Sequence, residues 1–238
     1  MVSLVRGGRG EEKEVTFRSA WFNKLPLGGK FPNTNDETFI VIGKIAGGGF
    51  EKILRDTVVF KRERARRDRI PLAGQTWALI FSKSSTRTRV SFETGIRELG
   101  GQVMFLNSND IQLGRGEPIK DTARVLGRMI HGAVIRTFAQ SDVEEFAEFS
   151  KIPTINALTD DEHPCQILAD IFTFREKRGP ISGKVVTFVG DGACNVPISW
   201  IWAATKLDLN CASPRRKNSS RPRKFWNARV AKSFARTI

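Results

Sequence analysis

Trp77-Ala78-Leu79-Ile80-Phe81-Ser82-Lys83-Ser84-Ser85-Thr86-Arg87-Thr88-Arg89 is the stretch that decides the fold. Its first part, Trp77 to Phe81, reads as a short apolar strand, and the residues after Phe81 open a helix. A helix N-terminus offers unpaired N–H groups and a partial positive charge, so it binds anions. Ser85, Thr86 and Thr88 add hydroxyl donors there, and Arg87 adds a planar, permanently charged fork suited to phosphate oxygens. The same residues also fit an ordinary Ser/Thr N-cap flanked by solvated arginines, and this segment alone does not separate the two readings.

Outward from that corner the chain alternates helix and strand patterns over residues 50–209. Phe50 to Arg66 reads as an amphipathic helix. Arg89 to Leu99 is helical and ends at Gly100-Gly101, a fitting C-cap. Gln102 to Leu106 follows as a strand, then Ile119 to Met129 as a helix, Ala133 to Phe138 as a strand and Val143 to Phe149 as a helix. Pro153 to Ala157 is the next strand and Pro164 to Arg175 a long helix. Lys184 to Val189 and Ile198 to Lys206 complete the series as strand and helix. Strands separated by helices at this rhythm predict parallel β-α-β units, that is, an α/β fold with a parallel sheet flanked by helices.

Two more places invite a chemical reading. Asp161-Glu162-His163-Pro164-Cys165-Gln166 lies between a strand and a helix, and His163 and Gln166 sit three apart at the first turn, so both can face one ligand beyond the strand end. Each also fits a cap or a packing role. Arg136 stands in the apolar strand Val134-Ile135-Arg136-Thr137-Phe138. A charge there is costly unless paired, so it serves a ligand at the strand's C-terminal end or pairs with a carboxylate.

Together these segments resemble the aspartate/ornithine carbamoyltransferase family. The S-T-R-T-R motif stands as Ser85 to Arg89, followed by Val90-Ser91-Phe92-Glu93 and Leu99-Gly100-Gly101, and the H-P-x-Q motif stands as His163 to Gln166. Between them lie Gln112-Leu113-Gly114-Arg115-Gly116-Glu117 and Asp121-Thr122-Ala123-Arg124-Val125-Leu126. Arg115-Gly116-Glu117-Pro118, Leu158-Thr159-Asp160, Ile167-Leu168-Ala169-Asp170 and Gly190-Asp191-Gly192-Ala193-Cys194-Asn195 look like the ornithine branch rather than the aspartate one, with a putrescine carbamoyltransferase a weaker reading of the same type. The resemblance implies transfer of a carbamoyl group from carbamoyl phosphate to ornithine, giving citrulline and phosphate for arginine biosynthesis. It implies no metal and no organic cofactor. It also implies that Ser85, Thr86, Arg87 and Thr88 hold the phosphate, and that Arg87, Arg136, His163 and Gln166 surround the carbamoyl group. Gln112 would reach a neighbouring subunit's site in a homotrimer, and Asn195 would contact the α-amino acid end of ornithine.

The match covers residues 50–209 and implies an order of parts: an atypical N-terminal segment at 1–48, a carbamoyl-phosphate-binding domain at 49–180, the beginning of an ornithine-binding domain at 181–209, and a basic, non-homologous tail at 210–238. The D-x-x-x-S-M-G and H-C-L-P segments of the family are not present in the sequence. Residues 1–48 are Gly-rich and weakly patterned, with one short strand expected at Phe39 to Ile45. The expectation is a C-terminally truncated or frameshifted chain, whose strand 184–189 and helix 198–206 lack cover. Trp200, Ile201 and Trp202 would then be partly exposed, solubility poor, and citrulline formation far below a complete enzyme's. The alternatives are a non-catalytic protein that binds carbamoyl phosphate, or an aspartate or putrescine carbamoyltransferase.

Composition excludes several classes. The chain has 238 residues, 40% hydrophobic and 27% charged, the balance of a globular protein. No apolar run is long enough to span a membrane, and the N-terminus lacks the apolar core of a secretory signal, so a cytoplasmic protein is expected. The net charge of +14 suggests nucleic acid at first sight, but residues 211–238 supply +9 of it and contain no acid. The remainder carries only +5, and no nucleic-acid or membrane partner is expected of the folded part. Cys165, Cys194 and Cys211 form no metal-ligand spacing and read as reduced thiols, and with only two histidines no His/Cys zinc site is expected.

Overall fold

The structure, a computed structural model, describes residues 45, 48–64, 70–107, 117–212 and the backbone of 225–226. The strand expected at Phe39 to Ile45 falls, except for Ile45, outside the described residues, as do nearly all of the N-terminal segment, Gln112, and most of the basic tail. The described residues form two compact units that part between Cys165 and Gln166.

The first unit is built on β1 (Thr76–Phe81), β2 (Gln102–Asn107), β3 (Gly132–Arg136) and β4 (Thr154–Leu158). They form one sheet in the order β2-β1-β3-β4, and every pairing is parallel. Side chains alternate across a strand, which explains why β1 is apolar throughout. Ala78 and Ile80 face a cluster with Ala123, Val143 and Phe146, from α3 (Ile119–Leu126) and α4 (Gln140–Ser150). Trp77, Leu79 and Phe81 face the opposite cluster, with Phe92 and Ile96 of α2 (Thr86–Glu98). Both faces of the sheet are therefore covered, the usual condition for parallel strands. Gly132 lets β3 approach the indole of Trp77: a Cβ there would lie 2.6 Å from three of its ring carbons.

The helix ends follow local chemistry. Past α2, the Gly100 N–H donates to Arg97 O at 3.0 Å and Gly101 N–H to Ile96 O at 2.9 Å, with Gly100 at φ +87°. That is the paired carbonyl closure for which a residue without Cβ is favoured. α1 (Gly49–Glu63) buries Phe50, Leu54 and Thr57. Just beyond it, Arg64 grips Glu98 with two hydrogen bonds of 2.7 Å, a bidentate fork across the surface.

The second unit takes up α5 (Pro164–Arg178) from Gln166 onward, then β5 (Val185–Thr187), α6 (Asn195–Leu207), β6 (Asn210–Ala212) and β7 (Phe225–Trp226). β5 and β6 are parallel, joined by the α6 crossover, and β7 pairs antiparallel with β6. Three expectations need correction here. The strand expected at 184–189 shortens to 185–187. The sheet runs past Leu209 to Ala212, and two tail residues with strong strand propensity, Phe225 and Trp226, also pair. Trp200 is not exposed: it retains 1% of its surface, alongside buried Ala203, Ala204 and Leu207 on the same helix, while Ile201 and Trp202 are half-buried.

Candidate functional site

In the first unit, strand order reverses direction at β1: the crossover through α2 leads to β2 on one side, and β3 continues to β4 on the other. α2, which follows β1, covers one face of the sheet and α4, which follows β3, the other, and such a switch point is the usual place for a ligand in a parallel sheet. Phe81, the last residue of β1, is in register with Arg136, the last of β3, and the Ser82 N–H donates to Arg136 O at 2.8 Å. The anion motif and Arg136 thus leave adjacent strand ends.

Ser85 is the N-cap of α2, with extended backbone. Its hydroxyl accepts the Thr88 N–H at 3.4 Å and donates to Thr88 Oγ1 at 2.9 Å, so one side chain shapes the turn. Thr86 and Arg87 are exposed on that first turn, which carries no acidic residue. The two flanking arginines differ. Arg89 is engaged: its guanidinium stacks 3.7 Å over the Phe105 ring and its Nε lies 3.7 Å from Glu93. Arg87 makes no ion pair among the described residues. A cleft of about 770 Å³ lies against this turn, lined by Ser82, Ser84, Ser85, Thr86, Arg89 and Phe105 among others.

Arg136 is half-buried, and its buried Nε has no hydrogen-bond partner among the described residues. No carboxylate pairs with it among the described residues. Burial lowers its pKa from the ordinary value. His163 sits close enough to feel that charge: burial first, and the Arg136 guanidinium second, push its pKa down to about 4. At neutral pH it is therefore an uncharged imidazole, able to hydrogen-bond a carbonyl oxygen without adding charge. The turn that presents it is tight: Thr159 N–H donates to Glu162 O at 2.9 Å, and Glu162 N–H to Thr159 Oγ1 at 3.0 Å.

A tie across three loops escaped sequence reading. The Lys83 ammonium bonds Asp160 and lies 4.4 Å over the Phe138 ring, linking the segments after β1, β3 and β4. Gln140 adds a second tie, its Oε1 accepting from Asn156 Nδ2 at 3.2 Å and Thr159 Oγ1 at 2.8 Å. Spacing could not reveal partners so far apart in the chain; the only signal was that Lys83 lies inside the anion motif and Asp160 just before His163.

Ser85, Thr86, Arg87 and Thr88 therefore share one helical turn, and Arg136 and His163 interact electrostatically at the same end of the same sheet. Gln166 and Asn195 belong to the second unit. Gln166, in the first turn of α5, donates from Nε2 to Asp170 Oδ1 at 2.8 Å. Asp170 is buried, and that burial raises its pKa to about 6 against the lowering effect of Gln166. Asn195 opens α6, and its backbone oxygen accepts from the Ser199 hydroxyl at 2.9 Å. Gln112 lies outside the described residues. Among the described residues no cluster of His, Cys, Asp and Glu could hold a metal ion, and no helix is long and apolar enough to cross a membrane. Burial pushes the thiols of Cys165 and Cys211 up to about 12, which leaves them unreactive.

The family described as aspartate/ornithine carbamoyltransferase, carbamoyl-P binding domain, matches residues 38–176. Over 154 residues the chain is 70% identical to the ornithine carbamoyltransferase of Akkermansia muciniphila, a match covering 64% of this chain and 50% of that one. The ornithine carbamoyltransferase of Ralstonia pickettii is 59% identical over 137 residues, 58% of this chain and 44% of its own. The crystal structure of the ornithine carbamoyltransferase from Burkholderia thailandensis superimposes with a TM-score of 0.71 at 47% identity, covering 74% of this chain and 61% of that one. The chain thus spans about half the length of the curated relatives it matches.

Proposed function

The chain belongs to the aspartate/ornithine carbamoyltransferase family, and on that premise we propose that it binds carbamoyl phosphate and serves its transfer to ornithine. The observation that carries the reading is the turn at the switch point: an N-cap with three hydroxyls and an arginine lacking an ion pair among the described residues, beside a half-buried arginine and a neutral histidine. Phosphate oxygens fit the first group. A carbonyl oxygen fits the second.

In the proposed reaction the ornithine amine attacks the carbonyl carbon of carbamoyl phosphate, a C–N bond forms, the C–O bond to phosphorus breaks, and the amine gives up a proton as citrulline and phosphate leave. Negative charge grows on the carbonyl oxygen and then on the departing phosphate. Arg136 and His163 would meet the first, and Ser85, Thr86, Arg87 and Thr88 the second. Donors aimed at developing charge contribute about 10²–10³ in rate each. Because His163 is held neutral, it donates a hydrogen bond without repelling Arg136. Gln166 and Asn195 would complete the contacts to the carbamoyl and amino-acid groups.

The same reading places the domain division at residues 180–181, gives the protein a cytoplasmic location and a homotrimeric assembly in which Gln112 serves a neighbouring site, and requires no metal or organic cofactor. A competition assay tests the substrate: the chain is supplied with carbamoyl phosphate and equal ornithine and aspartate, and the two ureido products are separated and counted. Citrulline should dominate. Carbamoyl-aspartate in equal or greater amount would reverse the choice within the family.

A further inference from the structure

β1 and β4 do not pair. β3 lies between them in the sheet, so their ends stand two strand spacings apart, roughly 10 Å. The residues two positions past three strand ends nonetheless meet: Lys83 after β1, Phe138 after β3 and Asp160 after β4. The Lys83 ammonium crosses the end of β3, lies 4.4 Å over the Phe138 ring and bonds Asp160. The Asp160 N–H donates to Phe138 O at 2.8 Å, which ties the same point to the β3 loop through the backbone. All of these residues belong to the first unit.

Lys83 stands in a segment of hydroxyls and arginines, where an ammonium is expected to serve an anion. The cleft there is lined by Ser82 and Ser84, its neighbours on either side, and not by Lys83 itself. Stability does not account for the pair: 65% of the Asp160 side chain is in water, and an ion pair so exposed contributes little. Its consequence is geometric. The turn from Thr159 to Glu162 is closed by its own hydrogen bonds and anchored to α4 by Thr159 Oγ1 donating to Gln140 Oε1. It moves as one piece with His163 at its end, so holding Asp160 holds His163.

We propose that Lys83 is a positioning residue: its bond to Asp160 straps the 159–162 turn across the end of β3 and keeps His163 beside Arg136 and in register with the Ser85–Thr88 turn. The strap itself touches no substrate, and only its consequence for carbamoyl phosphate rests on the proposed function. Burial and the Arg136 guanidinium together hold the His163 pKa at about 4. If the turn lifts, both causes fade and the pKa rises.

The experiment follows the imidazole signals of the 238-residue chain by proton NMR against pH. There are only two histidines, and His131, whose Nδ1 accepts the Thr76 N–H at 3.1 Å at the opposite end of β1, is the internal control. Asp161 and Glu162 in the turn and Arg136 on β3 are the same in every variant. Lys83→Met and Asp160→Ala should both raise the His163 midpoint from about 4 toward the ordinary 6.5, with His131 unmoved. Lys83→Arg should restore the native midpoint. A charge effect through space would move the two variants in opposite directions, because one removes a cation and the other an anion. A midpoint that stays or falls in Asp160→Ala therefore overturns the proposal. Calorimetry gives the second reading: both variants should bind carbamoyl phosphate about fivefold more weakly, the scale of one lost hydrogen bond, and inorganic phosphate as the native chain does. Phosphate weakened by Lys83→Met alone would make Lys83 a direct phosphate ligand and overturn the strap. A native chain that binds no carbamoyl phosphate would remove the proposed function, and the His163 titration, which needs no ligand, would still decide the strap.

Discussion

The molecule turns from strand to helix in the same way at two corners and equips them oppositely. At β1–α2, a hydroxyl cap, two threonines and an arginine gather at the helix N-terminus with no acid in the first turn. At β5–α6, the cap is Cys194 with no side-chain bond, and the preceding loop carries Asp191, whose Oδ1 accepts the Ala193 N–H at 3.0 Å. Both helices begin with the same backbone polarity. Their side chains decide what that polarity meets: the first corner offers donors to an anion, while the second already spends a donor on its own carboxylate and would repel one. A helix N-terminus is thus raw material, and its cap and neighbours make it a site.

The supporting cores differ as well, and the largest effects should come from them. Trp77 fills the first unit's sheet face against Gly132, and Trp200 the second unit's helix. Replacing either with alanine should cost about 3–5 kcal/mol of stability in chemical denaturation. A much smaller loss at Trp200 would show that the second unit is loosely packed.

Two titrating groups shifted by desolvation, one in each unit, should pull stability in opposite directions with pH. His163, depressed to about 4, contributes stability that is whole above its unfolded pKa of roughly 6.5 and is lost as pH falls through about 4. Asp170, raised to about 6, contributes stability that is whole below roughly 3.8 and is lost as pH rises through about 6. Each amounts to roughly 3 kcal/mol at most. Urea melts from pH 4 to 8 should therefore show Asp170→Asn gaining on the native chain toward pH 8, and His163→Gln gaining toward pH 4. Parallel curves for all three proteins would contradict both assignments.

The smallest effect isolates one hydrogen bond. The indole N–H of Trp77 donates to Gln75 Oε1 at 3.1 Å, whereas the buried indole nitrogen of Trp200 has no partner among the described residues. Trp77→Phe should thus lose about 1 kcal/mol more than Trp200→Phe. Equal losses by calorimetric melting would mean that the Trp200 nitrogen is satisfied in solution.

Much of this arrangement was legible in the sequence. The apolar run at 77–81 announced a strand, Gly100-Gly101 announced a helix stop, and the order of strands and helices announced a parallel sheet. The helix cap at Ser85 was legible because its elements are local: cap, hydroxyls and arginine fall within one helical turn. Arg136 could be suspected because a charge in an apolar strand is expensive, but whether a carboxylate pairs with it could not be read from the strand's own sequence. The Lys83–Asp160–Phe138 tie was not legible, because its members come from three loops. Nor was the burial of Trp200, since periodicity shows which face of a helix is apolar and not what covers it. The Gln166–Asp170 pair stood in the sequence at helical spacing, yet nothing in spacing says that the carboxylate is buried.

In the proposed reading the β1–α2 corner, and not merely any helix start, holds the phosphate. Titrating carbamoyl phosphate into the native chain, Arg87→Leu and Asp191→Ala by calorimetry tests it most directly. Arg87→Leu should bind more than about tenfold more weakly, the scale of a lost charge-assisted contact, while Asp191→Ala, altered at the other corner, should stay within about twofold. Unchanged affinity in Arg87→Leu, or an equal loss in both variants, would contradict the account.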